Sequence, residues 1–230
     1  MADPTGRILT IPQAVIFDFE GTLVDFQWRL AEAEAEATEV LVRLQMLEPG
    51  EKLSYAEMMN RVLSEDENPV QPAGLALLSE IYDRYDAEAL GRWRIRPGAL
   101  EALEQLKARG LKTGLVSNVG RAVLDAALER VGLISWLDET VSRNEAGRLK
   151  PDPAGIIMVC ERLHCSLNGV LYVGDSLDDI RAAKEAGVPV AVIQGGQDRL
   201  PEIDQADPSW IIKELAELTA LLDNGRKLDF

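Results

Sequence analysis

The chain has 230 residues, with 24 Lys and Arg against 39 Asp and Glu, for a net charge of -15. That length buries a sizeable core, in one domain with an insertion or in two small domains. The acidity argues against nucleic acid or an anionic membrane surface as a partner, since both reward cationic patches.

Met1-Ala-Asp-Pro-Thr-Gly6 lacks a basic stretch leading into an apolar core, so no secretion signal is expected. No apolar run approaches the length of a membrane span, and a cytoplasmic location is the default expectation. Val15, Ile16 and Phe17 form an apolar run without alternation, the pattern of a strand buried on both faces. It ends in Asp18, Glu20 and Gly21. Residues 26–47 are rich in Ala, Glu and Leu and predict a helix. Ser54-Tyr-Ala-Glu57 has capping-box spacing and opens a second helix to about Ser64. After the Glu65-Asp66-Glu67-Asn68-Pro69 loop, Gln71 to about Arg92 predicts a third.

From Ala99 the pattern alternates. Helices are expected over 99–109, 121–131, from Asp152-Pro153 to His164, over 178–186 and over 214–223. Strands are expected over 112–117, 139–142, 169–174, 189–193 and 210–212. Pro153 suits a first helical turn. Strands alternating with helices imply parallel βαβ units with right-handed crossovers. The fold expected is α/β, a Rossmann-like parallel sheet with an α-helical cap inserted after the first strand. Residues 1–25 and 94–230 would form the core and 26–93 the cap. Cys160 and Cys165 read as reduced cysteines of one helix, and the lone histidine, His164, as a solvent-facing helix end. Together they do not make a zinc site of ordinary ligand type.

Polar groups punctuate four strand ends. Asp18-Phe-Glu20-Gly21-Thr22 follows the first strand, and Ser117-Asn118 follows Gly114-Leu-Val. Lys150 stands in the loop Arg148-Leu-Lys-Pro-Asp152, and Gly174-Asp175-Ser176-Leu-Asp178-Asp179 closes the strand beginning near Gly169. In open α/β sheets, ligands bind outside the carboxyl ends of the strands, so these groups would share one crevice. Asp18, Glu20, Asp175 and Asp179 bring four negative charges there and Lys150 returns one. Like charges ~4 Å apart repel by about 4 kcal/mol at an effective dielectric of 20. Such a site protonates an acid or takes a cation, and an all-oxygen ligand set suits Mg²⁺.

In these four motifs, at this order and spacing, the chain resembles the haloacid dehalogenase (HAD) superfamily over nearly its whole length. The phosphoglycolate phosphatase-like branch, with a helical cap after the first strand, is the nearest match. The resemblance implies an Mg²⁺-dependent phosphatase acting on a small phosphorylated metabolite through an aspartyl-phosphate on Asp18. It implies Ser117, Asn118 and Lys150 as phosphate contacts, with Lys150 offsetting charge on Asp18. Asp18, the Glu20 backbone carbonyl and Asp175 would hold the metal, with Asp179 as ligand or as a partner behind it. The Glu20 carboxyl would be the acid–base. Here the chain departs from the pattern, because that position is usually Asp, although the enolase-phosphatase branch is similar in having Asp-x-Glu-Gly-Thr.

Other readings follow from the same motifs. A HAD phosphomutase shares them all. A dehalogenase typically lacks an acid at the Glu20 position, and a phosphonatase needs a cap lysine, for which Lys52 is the one candidate between residues 26 and 95. A weakly active binding module is the non-enzyme alternative. Monomer and homodimer both stay open.

Overall fold

The computed structural model describes residues 12–64 and 67–224. The Met1–Gly6 segment and Glu65-Asp66 of the expected loop lie outside the described residues. Six apolar runs become six parallel strands: β1 (Ala14–Phe17), β2 (Lys112–Val116), β3 (Glu139–Val141), β4 (Val170–Gly174), β5 (Val190–Ile193) and β6 (Trp210–Ile212). Their order is β3-β2-β1-β4-β5-β6. Phe17 sits level with Leu115 on one side and Val173 on the other. Strand order therefore reverses at β1, and the crevice opens where the chain leaves β1, β2 and β4.

Both sheet faces are covered, which explains why these strands show no polar alternation. Val15, Phe17, Leu171 and Val173 join one buried cluster. It includes Leu103 and Leu106 of α4 (Ala99–Ala108), Leu124 of α5 (Arg121–Arg130) and Leu218 of α10 (Glu217–Asn224). Ala14, Ile16, Val170 and Tyr172 face the other way, against Ile156 and Val159 of α7 (Ala154–Arg162) and Ile180 and Ala183 of α8 (Leu177–Ala186). Each fully buried Leu, Ile or Phe here contributes about 1.5–3 kcal/mol relative to exposure.

Three helices stand between β1 and α4: α1 (Leu30–Arg43), α2 (Tyr55–Leu63) and α3 (Gln71–Leu90). The buried positions of α1, Ala33, Ala37, Val40 and Leu41, fall at the spacing of one helical stripe. The predicted capping box at the start of α2 is formed, with Glu57 N donating to Ser54 Oγ at 3.2 Å and Ser54 N to Glu57 Oε2 at 2.8 Å. The chain enters and leaves this block side by side: Asp25 N donates to the Arg94 carbonyl at 2.9 Å, and Arg94 N to Asp25 Oδ1 at 2.7 Å.

Several expectations need correcting. Residues 26–29 are not helical, because the N–H groups of Gln27 and Trp28 are drawn to the Glu20 carboxylate instead. Pro153 occupies the N-cap of α7 rather than its first turn. Cys165 lies beyond α7, cut off by His164 in the left-handed region at φ 52°; both cysteines are free thiols and His164 is exposed. The last helix starts at Glu217. Two short helices, α6 (Arg143–Ala146) and α9 (Leu200–Gln205), carry too few residues for periodicity to reveal. Among the described residues no helix is long and apolar enough to cross a membrane.

Candidate active site

Asp18, Glu20, Ser117, Asn118, Lys150 and Asp175 all line one cleft, whose cavity volume is about 40 Å³. Asp18 follows β1, Ser117 and Asn118 follow β2, and Asp175 follows β4. Lys150 arrives on the loop before α7. Ladder bonds carry each side chain to the mouth: Asp18 N donates to the Val173 carbonyl and Ser117 N to the Val141 carbonyl, both at 2.9 Å. Two glycines make room for Asp175. A Cβ on Gly21, which also has φ +86°, would stand 2.2 Å from Asp175 Oδ2, and one on Gly196 would stand 2.1 Å from it. Only bare backbone approaches that closely.

Lys150 is buried between two carboxylates. Its Nζ is bonded to Asp18 Oδ1 and donates to Asp179 Oδ1 at 2.7 Å. Tyr172 Oη, inside β4, also donates to Asp179 Oδ1, at 2.8 Å. The other Asp179 oxygen caps α8, accepting from Asp175 N and Ser176 N at 3.1 Å and from Ser176 Oγ at 2.7 Å. Burial pushes the Asp179 carboxyl up, but the Lys150 charge and these donors outweigh it and hold it below the usual range. Burial likewise works against charged Lys150, yet Asp179 and Asp18 keep its pKa well above the ordinary lysine value. Asp179 thus works as a fixed anion that grips Lys150.

Asp18 is different. Burial raises its pKa to about 6 against the pull of Lys150. Burial, then the Asp18 and Asp179 charges, raise Asp175 well above the ordinary carboxyl value. Asp175 Oδ1 accepts from Thr22 Oγ1 at 3.0 Å and Oδ2 from Gln197 N at 2.6 Å.

One carboxylate oxygen each from Asp18, Asp175 and Asp179 lies within 4.8 Å of the others, and all three residues are buried. Hard oxygen donors at this spacing, with Asp18 and Asp175 resisting ionisation without a counter-charge, fit a divalent cation. Asp18 and Asp175 have coordination capacity to spare; Asp179 does not, since both its oxygens already accept at least two bonds each.

Glu20 Oε1 collects three N–H groups: Gln27 N and Trp28 N, each at 2.6 Å, and Trp93 Nε1 at 2.8 Å. These donors come from both segments joining the helical block to the sheet. Burial raises the Glu20 pKa to about 7, the three hydrogen bonds opposing it. A carboxyl poised there can give and take a proton near neutral pH.

A family model described as haloacid dehalogenase-like hydrolase matches residues 12–187. The chain belongs to the haloacid dehalogenase-like hydrolases. Its similarity runs to phosphatases of that family. It is 32% identical to the phosphoglycolate phosphatase of Rhodospirillum rubrum, covering 83% of each chain. It is 28% identical to that of Nitrosospira multiformis, covering 93% of this chain and 96% of the relative. Among solved structures, a hydrolase from Pseudomonas syringae superimposes with a TM-score of 0.71 at 22% identity, covering 92% of this chain and 98% of that one. A predicted phosphoglycolate phosphatase from Haemophilus somnus 129pt gives 0.66 at 24% identity, covering 93% and 99%. At those identities the structural likeness carries the HAD fold.

Within this HAD hydrolase, sequence reading missed four contributors. Thr22 and Gln197 orient Asp175, Tyr172 supports Asp179, and Trp93 reaches Glu20. Only Tyr172 left a signal, because a tyrosine inside an aliphatic strand must find a partner for its hydroxyl. Asn118 lines the cleft, but its amide is engaged: Nδ2 donates to Tyr55 Oη at 2.9 Å, and Oδ1 accepts from Lys150 N at 3.1 Å.

Proposed function

We propose that the protein is a Mg²⁺-dependent phosphatase that hydrolyses a small phosphate monoester through an aspartyl-phosphate on Asp18, with residues 26–93 as its cap. The observation that carries this reading is the meeting of Asp18, Lys150 and Asp175 at the ends of separate strands and loops. Asp18 attacks phosphorus through a carboxylate oxygen, and the bond from phosphorus to the leaving oxygen breaks. Lys150, held by Asp179, keeps Asp18 ionised and offsets charge on the transferring group, while Ser117 sits where it can donate to it, with Asn118 beside it bonded to Tyr55 and Lys150. Protonated Glu20 gives its proton to the leaving oxygen. In the second half Glu20 takes a proton from water, the resulting hydroxide attacks phosphorus, and the Asp18 carboxylate is released. A cation bound by Asp18, Asp175 and the Glu20 carbonyl would supply positive charge to the phosphoryl oxygens.

The first test is release of free phosphate from a panel of monoesters, with Mg²⁺ and after exhaustive chelation. Full turnover in chelator would contradict metal dependence, and an isomeric ester in place of phosphate would mark a mutase. The relatives' name makes 2-phosphoglycolate the first ester to try.

Glu20→Gln keeps an oxygen for the three tethering N–H groups but cannot carry the proton. Turnover should fall by about 10²-fold or more with the melting temperature little changed. Unchanged rates would reject Glu20 as the acid–base.

Proton linkage offers an independent test of the cation. Asp18 binds protons more tightly folded than unfolded, so its contribution to stability is lost as pH rises between its ordinary 3.8 and about 6. Asp175, also raised, adds to that loss. Mg²⁺ competes with those protons, so the melting-temperature gain from Mg²⁺ should grow from pH 5 to pH 7.5. A gain independent of pH would place the ion elsewhere.

A further inference from the structure

Part of the cleft lining is aromatic: Phe26 and Trp28, from the first joining segment, and Tyr55, which opens α2. Trp28 packs on Tyr55 at 4.8 Å between ring centroids and on Tyr82 and Tyr85 at 5.8 and 5.9 Å, so its ring is firmly placed. Trp28 is only 8% exposed and its Nε1 is buried, so it offers the cleft ring surface rather than a donor. Tyr55 Oη accepts from Asn118 and retains its own proton to donate.

The cleft is also short of positive charge. Among the described residues its lining holds five acids, Asp18, Glu20, Asp86, Asp175 and Asp178, and one cation, Lys150, which Asp18 and Asp179 already engage. Arg143, which pairs with Asp86 at 2.9 Å, also holds Asp83 and donates to the Asn118 carbonyl at 2.9 Å. Arg29 on the helical block faces Glu32 and Glu88, both at 3.1 Å. A leaving group bearing a carboxylate would bring a further negative charge to a wall that, among the described residues, has no guanidinium or ammonium to receive it. Specific pockets instead pair apolar and aromatic walls with a few placed polar groups.

We infer that the leaving group this cleft selects is an uncharged, hydroxyl-bearing carbon skeleton of the polyol or sugar class, packed against Trp28 and Phe26 and hydrogen-bonded to Tyr55 Oη, in preference to a carboxylate. The inference rests on the phosphatase reading above and narrows its substrate class. It also separates this chain from the substrate in its relatives' name.

The test compares kcat/KM for glycerol 1-phosphate, glucose 6-phosphate and 2-phosphoglycolate at one Mg²⁺ concentration. The better uncharged ester should exceed 2-phosphoglycolate by about 10-fold or more, a margin within reach of pocket complementarity. If 2-phosphoglycolate equals or leads the others, this inference falls and the phosphatase reading stands. If none of the three esters, nor any other monoester, is hydrolysed, both fall. Phe26→Arg supplies the missing cation and should move the ratio toward 2-phosphoglycolate by about 10-fold; an unmoved ratio in a variant that melts like the parent counts against the assignment.

Discussion

Asp18→Asn is expected to reduce phosphate release by about 10⁴-fold or more, because an amide neither attacks phosphorus nor leaves from it, and losing a nucleophile costs on this scale. The fold should survive. Asn is nearly isosteric, and the carboxyl it replaces is buried with a pKa already raised to about 6, so a neutral group is no less comfortable there. Asp179 still holds Lys150. Single-turnover rates and melting curves together decide the matter: a variant that melts normally and still turns over would remove Asp18 from the chemistry.

The second large effect is on stability as well as rate. Lys150→Met deletes the one cation between Asp18 and Asp179, all three side chains being at most 8% exposed. Breaking a buried ion pair by removing one partner costs about 3–5 kcal/mol, since the remaining charge is left uncompensated. For a chain of this size that is a fall of roughly 6–20 °C in melting temperature. Mg²⁺ should recover part of it by meeting Asp18, and turnover should not recover. A variant with the parent's melting temperature would show that the triad is not held as described.

What could be read in advance divides along physical lines. β1 was legible because a strand buried on both faces has no polar residue to spare, so acids at its end stand out. The same holds for Asp175 at the end of β4 and for the alternation behind the HAD fold. The capping box opening α2 was legible because its chemistry is local, within four residues. Contacts made at long range were hidden. Thr22 reaches Asp175 across 153 residues of chain, and Trp93 reaches Glu20 across 73. Nothing in local composition marks either. The start of α1 was misplaced for the same reason: Ala- and Glu-rich sequence favours helix from residue 26, but a distant carboxylate outbids the helix for two N–H groups. Trp28 and Tyr55 illustrate a different limit. Their types suited packing and substrate contact alike, and the folded chain uses them to line the cleft while packing on each other at a tilt.

The tether from Trp93 to Glu20 has a practical corollary. An indole that hydrogen-bonds an ionisable carboxyl feels the field of that carboxyl directly, so its emission is an optical reporter supplied by the protein itself. With the other three tryptophans replaced by phenylalanine, the remaining spectrum should shift through a midpoint near the value of about 7 set by burial of Glu20. The proton inventory of the reaction would then be readable by fluorimetry, without substrate or label.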